Sequence, residues 1–433
     1  MKQNDNSRRL ILIGCKKKYS TLSFKDFENI PDLDIFDRAS SFNHYLDYLN
    51  KSDQLNYRLE NISPCGPELF VNKGCDDVVR GVINFVSNDY LGLTQHPAVK
   101  LAAMQALEKF GTGSGASPAI GGHFNYHQDL EIKIASFFKR EAALLYTTGY
   151  TANSATLQCL LKKEDIAIVD MGVHASVYEG CLHTNVKSFV HNDLERMEEV
   201  LIRVKDAYRT KMVIVDGVYS QDGDLAPLRE ISYLTKKYGA VLMVDDAHGI
   251  GVIGPTGRGL IEKEDVFDQV DIISGTFSKS LAGIGGFVVA RPEIIRFLKF
   301  QARQHLFSAA MPPSTTCAIS RAIELIDEES HWIDKLRTNV NYFKSNLLDL
   351  GFVIGNTQSA IIPVKIGDPA LTAQAAKFLF DAGIYANCII YPAVSRKDAR
   401  IRMSLMATHT QQQLDNALDA FELMKSKLPV LKQ

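Results

Sequence analysis

The feature that most constrains the fold is a series of short apolar segments that alternate with segments of helical length between about residues 142 and 290. The apolar segments are 142–146, 165–170, 212–215, 240–245 and 270–274. Apolar runs of about five residues are typical of strands buried on both faces. Consecutive parallel strands need a crossover, which the intervening helices provide. The sequence therefore predicts an α/β architecture, with a mainly parallel sheet between helices.

Two of these apolar segments end in residues that can carry chemistry. Ligands of such sheets bind at the carboxyl ends of the strands. Asp245 ends one segment and could hold the protonated nitrogen of a pyridine ring in a bound cofactor. His248, three residues later, could bond a phenolic oxygen on the same ring. Lys279 follows another segment among small residues, where poor hydration favours the neutral amine, a nucleophile toward an aldehyde. Thr276 and Ser278 beside it offer hydroxyls to a phosphate.

A turn between a predicted strand and a predicted helix offers a second phosphate site. It contains Thr148, Gly149 and Tyr150, directly before a segment of helical length. The first N–H groups of a helix have no partner within the helix, and the helix dipole favours an anion there. A structural N-cap is the competing interpretation, and both roles can hold together.

Two arginines near the C-terminus form a candidate carboxylate site. Arg400 and Arg402 lie at i and i+2 of a predicted strand, so their side chains point to the same face. A guanidinium binds a carboxylate through two parallel hydrogen bonds. The spacing alone does not choose between the two residues.

These stretches occur in the order found in a known family. The motifs are Ser87–Leu93, Leu145–Asn153, His174–Ser176, Asp216–Gly223, Ala240–Val252, Ser274–Gly286 and Arg400–Arg402. From about Phe85 to Leu423 the chain resembles the α-oxoamine synthases, which are pyridoxal phosphate (PLP) enzymes of fold type I. This family includes 8-amino-7-oxononanoate synthase, 2-amino-3-ketobutyrate CoA ligase, 5-aminolevulinate synthase and serine palmitoyltransferase. Six or more motifs in register are far more specific than one short pattern.

The resemblance implies PLP as the cofactor and assigns it further contacts. His174 would stack on the pyridine ring and Ser220 would lie near the phenolic oxygen, with Lys279, Asp245 and His248 in the roles given above. Ser308 is the only hydroxyl near the start of Leu306–Pro313, a segment that in the family reaches the cofactor phosphate of the neighbouring subunit. A homodimer with its active sites at the interface is therefore expected, and the monomer should be inactive.

The resemblance also implies substrate contacts. It selects Arg402 over Arg400 as the carboxylate ligand and places Asn88 and Tyr90 at the substrate end of the site. Many members of the family carry an arginine where this chain has Pro118. An arginine there could contact an anionic acyl group or a CoA phosphate, so this departure puts recognition of the acyl donor in doubt.

The implied reaction is a decarboxylating condensation of a small amino acid with an acyl thioester, carried by CoA or by an acyl-carrier protein. The Thr-Phe-Ser-Lys-Ser block around Lys279 resembles long-chain, serine palmitoyltransferase-like members somewhat more than the Gly-Lys version common elsewhere. The resemblance therefore favours a serine palmitoyltransferase-like or related long-acyl enzyme, with 8-amino-7-oxononanoate synthase as the next choice. The alternatives are a PLP aminotransferase or an aminoketone-signal synthase on the same fold. A non-catalytic partner subunit is disfavoured because Lys279 is present.

Composition sets broader limits on the 433 residues. The formal net charge of −2, with no basic block, gives no indication of nucleic-acid binding. Seven dispersed cysteines without a C-x-x-C pair favour reduced thiols in the cytoplasm, with no metal site. No apolar run approaches the roughly 18 residues of a membrane span, and the short run ending at Cys15 only weakly resembles a lipoprotein signal.

We expect an N-terminal arm and small strand pair (1–84), a large cofactor-binding domain (85–330) and a smaller C-terminal α+β lobe (331–433).

Overall fold

The computed structural model of the chain describes residue 19 and residues 22–52, 58–72 and 79–428. The weak resemblance to a lipoprotein signal that ends at Cys15 lies outside the described residues. Within the described part, no helix is both long enough and apolar enough to cross a membrane.

The described residues form strands and helices in alternation. The strands are β1 (Glu60–Asn61), β2 (Glu68–Asn72), β3 (Val79–Asn84), β4 (Ala142–Tyr146), β5 (Ile166–Asp170), β6 (Asn185–Phe189), β7 (Lys211–Asp216), β8 (Val241–Asp245), β9 (Ile272–Thr276), β10 (Gly286–Ala290), β11 (Ile361–Gly367), β12 (Ile384–Tyr385), β13 (Asn387–Ile389) and β14 (Ala399–Ser404). The helices are α1 (Ile35–Lys51), α2 (Pro97–Phe110), α3 (Asn125–Phe137), α4 (Gly149–Leu160), α5 (Ala175–Gly180), α6 (Leu194–Val204), α7 (Leu228–Lys237), α8 (Leu260–Lys263), α9 (Pro292–Gln301), α10 (Arg303–Leu306), α11 (Pro313–Glu328), α12 (His331–Asp349), α13 (Pro369–Asp381) and α14 (Gln411–Lys427). Short 3-10 turns occupy Phe24–Phe27, Leu93–Gln95 and Phe267–Gln269.

The main sheet has seven strands in the order β4-β10-β9-β8-β7-β5-β6. Every neighbouring pair from β9 to β6 is parallel, whereas β10 is antiparallel to both β4 and β9. All residues of β5, β9 and β10 are buried, as expected for strands covered by helices on both faces. The expected fold, a mainly parallel sheet between helices, is confirmed. The antiparallel β10 is an addition that the sequence analysis did not include.

Two smaller sheets lie outside the main one. The first has the order β1-β2-β3-β12, in which β3 pairs in parallel with β12 through Ile83 and Ile384. The second has the order β11-β14-β13 and carries Arg400 and Arg402 on β14. The predicted N-terminal strand pair therefore shares a sheet with a strand from the C-terminal part of the chain. The division into three domains stays a prediction.

Helix and strand both occur in the C-terminal part. Helix α13 begins at Pro369, where the side chain of Asp368 caps it by accepting from the Leu371 N–H. The apolar run at 352–354 is not a strand; it makes a backbone hydrogen bond between the Lys365 N–H and the Val353 carbonyl, without regular strand pairing.

Candidate active site

A cavity of about 230 Å³ lies at the carboxyl ends of the central parallel strands. Asp216 ends β7, Asp245 ends β8 and Thr276 ends β9, and all three line it. The cavity is where parallel α/β sheets bind ligands. It brings together most of the residues predicted from the sequence: Gly149, Tyr150, His174, Ser220, Asp245, His248, Thr276, Ser278 and Lys279.

One wall of the cavity is the N-terminus of α4. Thr148 caps this helix by accepting from the Thr151 N–H at 3.0 Å, so the structural interpretation of Thr148 holds. A Cβ added at Gly149 would lie 2.7 Å from Thr276 Cβ, which shows how closely the helix approaches the end of β9. The Thr276 and Ser278 hydroxyls lie 2.7 Å apart beside that helix end. Amides and hydroxyls thus converge as a phosphate site requires.

Lys279 also lines the cavity, in the turn that follows β9. Burial lowers the pKa of its ammonium to about 8, an effect that Arg402 supports and that Asp245 and Asp216 oppose. At this pKa the neutral fraction near physiological pH is far larger than that of an ordinary lysine, and the neutral amine can attack a carbonyl carbon. Geometry and electrostatics therefore agree with the nucleophilic role predicted from the sequence.

Asp245 at the end of β8 and His174 at the N-terminus of α5 both line the cavity. Asp245 Oδ1 accepts from the Ala247 N–H at 3.0 Å, and Oδ2 accepts from Asn153 Nδ2 at 2.6 Å. These donors stabilise the ionised carboxylate, the form that can hold a protonated ring nitrogen. His174 leaves much of its imidazole exposed to the cavity, and burial of the remainder lowers its pKa. A neutral, exposed ring suits stacking on an aromatic cofactor.

His248 is held by the buried Tyr90. The Tyr90 hydroxyl lies 2.7 Å from His248 Nδ1 and 3.2 Å from Asn88 Oδ1. Burial, with the nearby positive charge of Lys279, lowers the pKa of His248 well below its usual value, so the imidazole is neutral. Burial also raises the pKa of Tyr90 to about 12. Tyr90 therefore enters the site as a neutral hydroxyl that orients His248.

Arg402 and Arg400 have different partners, which the sequence spacing could not predict. Arg400 is fully buried and forms ion pairs with Asp222 and Asp398. Arg402 donates to the Ser220 carbonyl at 2.6 Å and lies 3.3 Å from Asn88 Oδ1, and among the described residues it has no carboxylate partner. Of the two, Arg402 is the guanidinium that can accept a substrate carboxylate without breaking an existing ion pair.

Ser308 lies apart from this cavity. It lines a much smaller one, of about 20 Å³, together with Pro118, His127 and His305. Within a single chain Ser308 therefore contributes nothing to the cavity of Lys279. Its predicted contact with a neighbouring subunit's cofactor stays a prediction, as does the effect of Pro118.

Two cavity residues were missed as site residues by the sequence analysis. Asn153 and Asp216 both line the cavity, and both are almost fully buried. Burial, with the neighbouring carboxylate of Asp245, raises the pKa of Asp216 well above its usual value. Asn153 lies four residues after Gly149, one turn further along the same helix, and that spacing is the signal that could have identified it.

The residues present fit PLP. The close approach of Gly149 to Thr276 brings backbone N–H groups and hydroxyls together where a phosphate could bind. Lys279 provides an amine for the aldehyde of PLP. Asp245 supplies a carboxylate for the pyridine nitrogen and His248 a neutral imidazole for the phenolic oxygen. The donor set therefore matches each polar group of that cofactor.

The chain is similar to known proteins in sequence and in fold. The family "aminotransferase class I and II" matches residues 80–421. The 8-amino-7-oxononanoate synthase of Thermoanaerobacter pseudethanolicus is 41% identical over 371 residues, which cover 85% of this chain and 92% of that protein. The 8-amino-7-oxononanoate synthase 1 of Bacillus subtilis is 38% identical over 368 residues, covering 84% and 92%. A serine palmitoyltransferase variant from S. paucimobilis, solved with PLP bound, superposes with a TM-score of 0.87 at 30% identity and covers 92% of this chain and 100% of its own.

Fold and site together define a PLP-dependent enzyme of fold type I. The chain belongs to the class I and II aminotransferase family and, within it, to the α-oxoamine synthases, which are PLP-dependent acyltransferases.

Proposed function

We propose that this chain condenses a small amino acid with an acyl thioester, with loss of carbon dioxide, to give an α-amino ketone. The observation that carries the proposal is the convergence of Lys279, Asp245 and His174 on one cavity. Arg402, which has no carboxylate partner among the described residues, holds the Ser220 carbonyl at the edge of the same cavity.

The chain's own residues supply binding and proton transfer. PLP, when bound, supplies an aldehyde for the amino group of the substrate and a ring that withdraws electrons from its Cα. Arg402 binds the substrate carboxylate, which fixes the orientation of the Cα–H bond. The Lys279 amine, with a pKa of about 8, removes the Cα proton and later returns one to the same atom.

The bonds made and broken balance. The amino-acid Cα forms a bond to the acyl carbonyl carbon, and the carbon–sulfur bond of the thioester breaks, so that a thiolate leaves and takes up one proton from the solvent. The bond between Cα and the carboxylate then breaks and carbon dioxide leaves. The proton that Lys279 supplies replaces the lost carboxylate. No external oxidant or reductant is needed.

Four further side chains would hold the cofactor. The Asp245 carboxylate would keep a proton on the pyridine nitrogen, which would maintain the electron-withdrawing power of the ring. His248, oriented by Tyr90, would bond the phenolic oxygen together with Ser220. His174 would stack on the ring.

The names of the relatives suggest two substrate pairs. An 8-amino-7-oxononanoate has the Cα, methyl and amino groups of alanine joined to an acyl chain that ends in a carboxylate. A serine palmitoyltransferase joins serine to a palmitoyl chain. The identity of 41% to the first group favours alanine with a dicarboxylic acyl thioester. Serine with a long acyl chain is the alternative. It is supported by the TM-score of 0.87 to a serine palmitoyltransferase and by the residues around Lys279.

An absorbance titration of the holoenzyme discriminates between these pairs. Glycine, alanine, serine and threonine are added separately, followed by short-chain, long-chain and dicarboxylic acyl-CoA, while the cofactor spectrum and free thiol are monitored. We expect one amino acid to shift the spectrum and one acyl-CoA then to release thiol.

Other outcomes of the same titration identify the alternatives. Conversion to pyridoxamine phosphate without a thioester would identify an aminotransferase. Binding of amino acids without a reaction with any CoA ester would point to a carrier-protein donor. A non-catalytic partner subunit would give no spectral response to any amino acid.

A homodimer is part of the proposal. Ile120 and Phe307 are 81% and 84% exposed in the single chain. The hydrogen bond from the Ala310 N–H to the Ala116 carbonyl joins the segments that carry them. Large apolar side chains that share an exposed region are typical of an interface. This region also carries Ser308, the residue predicted to reach the partner's cofactor.

The proposed compartment is the cytoplasm, which the free thiols of the described cysteines support.

A further inference from the structure

A hydrogen-bonded chain of side chains lies behind the cavity and links its two polar walls. Asn153 projects from α4 and Ser176 from α5, and both are nearly or fully buried. Asn153 Nδ2 lies 2.9 Å from Ser176 Oγ and 2.6 Å from Asp245 Oδ2. Ser176 Oγ lies in turn 2.7 Å from His174 Nδ1. The proposed reaction so far gives neither Asn153 nor Ser176 a role.

The direction of the hydrogen bonds follows from the chemistry of the groups. The Asp245 carboxylate can only accept, so the amide group facing it is the NH2 of Asn153. The opposite amide orientation would place Asn153 Oδ1 against a carboxylate oxygen at 2.6 Å, which is repulsive. The second N–H of the same nitrogen then donates to Ser176. Both N–H bonds of Asn153 are therefore used.

The proton of Ser176 has one destination. Its oxygen accepts from Asn153, so its single O–H donates to His174 Nδ1. The backbone N–H of Ser176 also points at His174 Nδ1, at 3.3 Å. A ring nitrogen that faces two donors must be the acceptor. His174 is consequently neutral, with its proton on Nε2.

We propose that Asn153 and Ser176 are positioning residues that keep Asp245 ionised and His174 in the neutral form that carries its proton on Nε2. The inference rests on the proposed function and deepens it. Asn153 couples the carboxylate that would serve the pyridine nitrogen to the imidazole that would cover the ring. His174 then presents an uncharged face to the cofactor and an Nε2–H as a hydrogen-bond donor.

The surroundings of His174 are consistent with this assignment. The charged or titratable groups that face it are Tyr150 of α4, Asp216 at the end of β7, Asp245 at the end of β8, and Lys279 and His248 from the loops after β9 and β8. Burial lowers the pKa of His174, the charge of Asp245 opposes this, and the charge of Lys279 adds to it. The neutral ring does not depend on any one of these neighbours.

The proposal makes a signed prediction for Asn153→Asp. The new carboxyl would face the Asp245 oxygen that Asn153 Nδ2 now meets at 2.6 Å, so the two carboxyl groups share one proton. That proton lies between them, which leaves only an acceptor for Ser176, and the Ser176 hydroxyl turns toward it. Ser176 Oγ then accepts from His174, which must carry a proton on Nδ1. Solid-state 15N NMR of the holoenzyme, labelled on histidine, reports the tautomer directly, and the His174→Gln variant identifies the signal.

In the wild type we expect a His174 signal with protonated Nε2 and bare Nδ1 that does not titrate across roughly pH 6 to 8. In Asn153→Asp we expect a protonated Nδ1 and a higher pKa for His174. A wild-type signal with protonated Nδ1, or a variant whose His174 signal and titration match those of the wild type, would overturn the proposal.

A milder variant covers the case in which Asn153→Asp does not fold. Ser176→Ala removes the main donor to Nδ1, and we expect a loss of about 5- to 10-fold in kcat, the equivalent of one hydrogen bond. The His174 titration should move into the accessible range while cofactor attachment to Lys279 is retained. Lower activity with an unchanged His174 titration would assign Ser176 a merely structural role and refute the proposal.

Ser154→Ala is the matched control. Ser154 is a buried residue of the same helix, next to Asn153, but its hydroxyl donates to Gln304 at 2.9 Å. We expect the His174 signal of this variant to match that of the wild type; a shifted signal would count against the proposal. The NMR measurement of the tautomer needs no turnover, whereas the thiol assay measures the proposed function. Failure of the positioning proposal is therefore distinguishable from failure of the proposed function.

Discussion

Arg400 and Arg402 lie two residues apart on β14, yet Arg400 is neutralised by two carboxylates and Arg402 by none among the described residues. Asp222 and Asp398 hold Arg400 in a fully buried position. The two arginines therefore have separate tasks. Arg400 joins β14 to the loop that carries Ser220, and Arg402 is available to a substrate.

The first prediction concerns these two residues. Arg402→Lys removes the bidentate geometry, and we expect kcat/KM for the amino acid to fall about 100-fold while the cofactor spectrum is retained. Arg400→Lys should instead lower the melting temperature, because it weakens buried ion pairs. Steady-state kinetics and thermal unfolding of both variants check this. A larger kinetic effect for Arg400→Lys than for Arg402→Lys would contradict the assignment.

The second prediction concerns Lys279, whose pKa burial lowers to about 8. Only the neutral amine attacks an aldehyde, so the rate at which cofactor-free protein takes up PLP should rise with pH and level off above about 8. Stopped-flow absorbance measures this rate. Lys279→Ala should bind PLP without the absorbance of covalently attached cofactor. Full activity in that variant would refute the catalytic scheme.

A third prediction tests the phosphate site. Gly149→Ala places a Cβ within 2.7 Å of Thr276 Cβ, so the helix end must move away from β9. We expect the affinity for PLP to fall about tenfold or more, since the N-terminus of α4 and the hydroxyls of Thr276 and Ser278 would no longer converge. Gly113→Ala is the control, because a Cβ there has no neighbour within 4 Å among the described residues. Equal affinities in both variants would exclude this wall as the phosphate site.

A fourth prediction concerns His191, whose two ring nitrogens each lie 2.9 Å from a carboxylate, of Asp170 and of Asp224. Burial alone would lower the pKa of His191, but these two hydrogen bonds raise it to about 10. A raised pKa stabilises the fold fully below the unfolded value of about 6.5, and this contribution is lost as pH rises through about 10.

The measurement is denaturant unfolding of the wild type and His191→Gln across that pH range. At neutral pH we expect a difference of about 1–2 kcal/mol in the free energy of unfolding, kept small because a third of the side chain is exposed. The difference should shrink toward pH 10. A difference that does not change with pH would contradict an ionised His191.

A fifth prediction tests the proposed dimer. Phe307, 84% exposed in the single chain, would be buried between subunits. Phe307→Asp should therefore give a monomer that lacks activity, as judged by light scattering and the thiol assay. Tyr233→Asp, at an aromatic that is 65% exposed on α7, is the control and should leave the dimer intact. A dimeric Phe307→Asp variant would remove this support for the interface.

Sequence reasoning predicted the parts of this molecule that local pattern determines. Asp245 and Lys279 were identifiable because each follows an apolar strand, and the carboxyl ends of parallel strands meet at one edge of a sheet. The choice between Arg400 and Arg402 was not determined by spacing, since it depends on Asp222 and Asp398 meeting β14 from elsewhere. The resemblance, not the pattern, selected Arg402.

The hydrogen-bonded chain through Asn153 could not be predicted from the sequence, for a related reason. Asn153, Ser176 and Asp245 come from two helices and a strand, and 92 residues separate Asn153 from Asp245. Each residue alone is an ordinary polar side chain. Only the packed fold shows that their donors and acceptors alternate, and that this alternation determines the protonation of His174.

The pairing of β3 with β12 has a consequence for how the chain is made. The two strands meet through Ile83 and Ile384, and the ion pair from Arg80 to Asp381 beside them spans 301 residues. During synthesis β3 leaves the ribosome long before its partner strand exists, so an exposed sheet edge must wait for most of the polypeptide to be translated. Contacts of such sequence separation form late and slow the search for the native state. This small sheet can therefore be completed only after residue 384 has been synthesised.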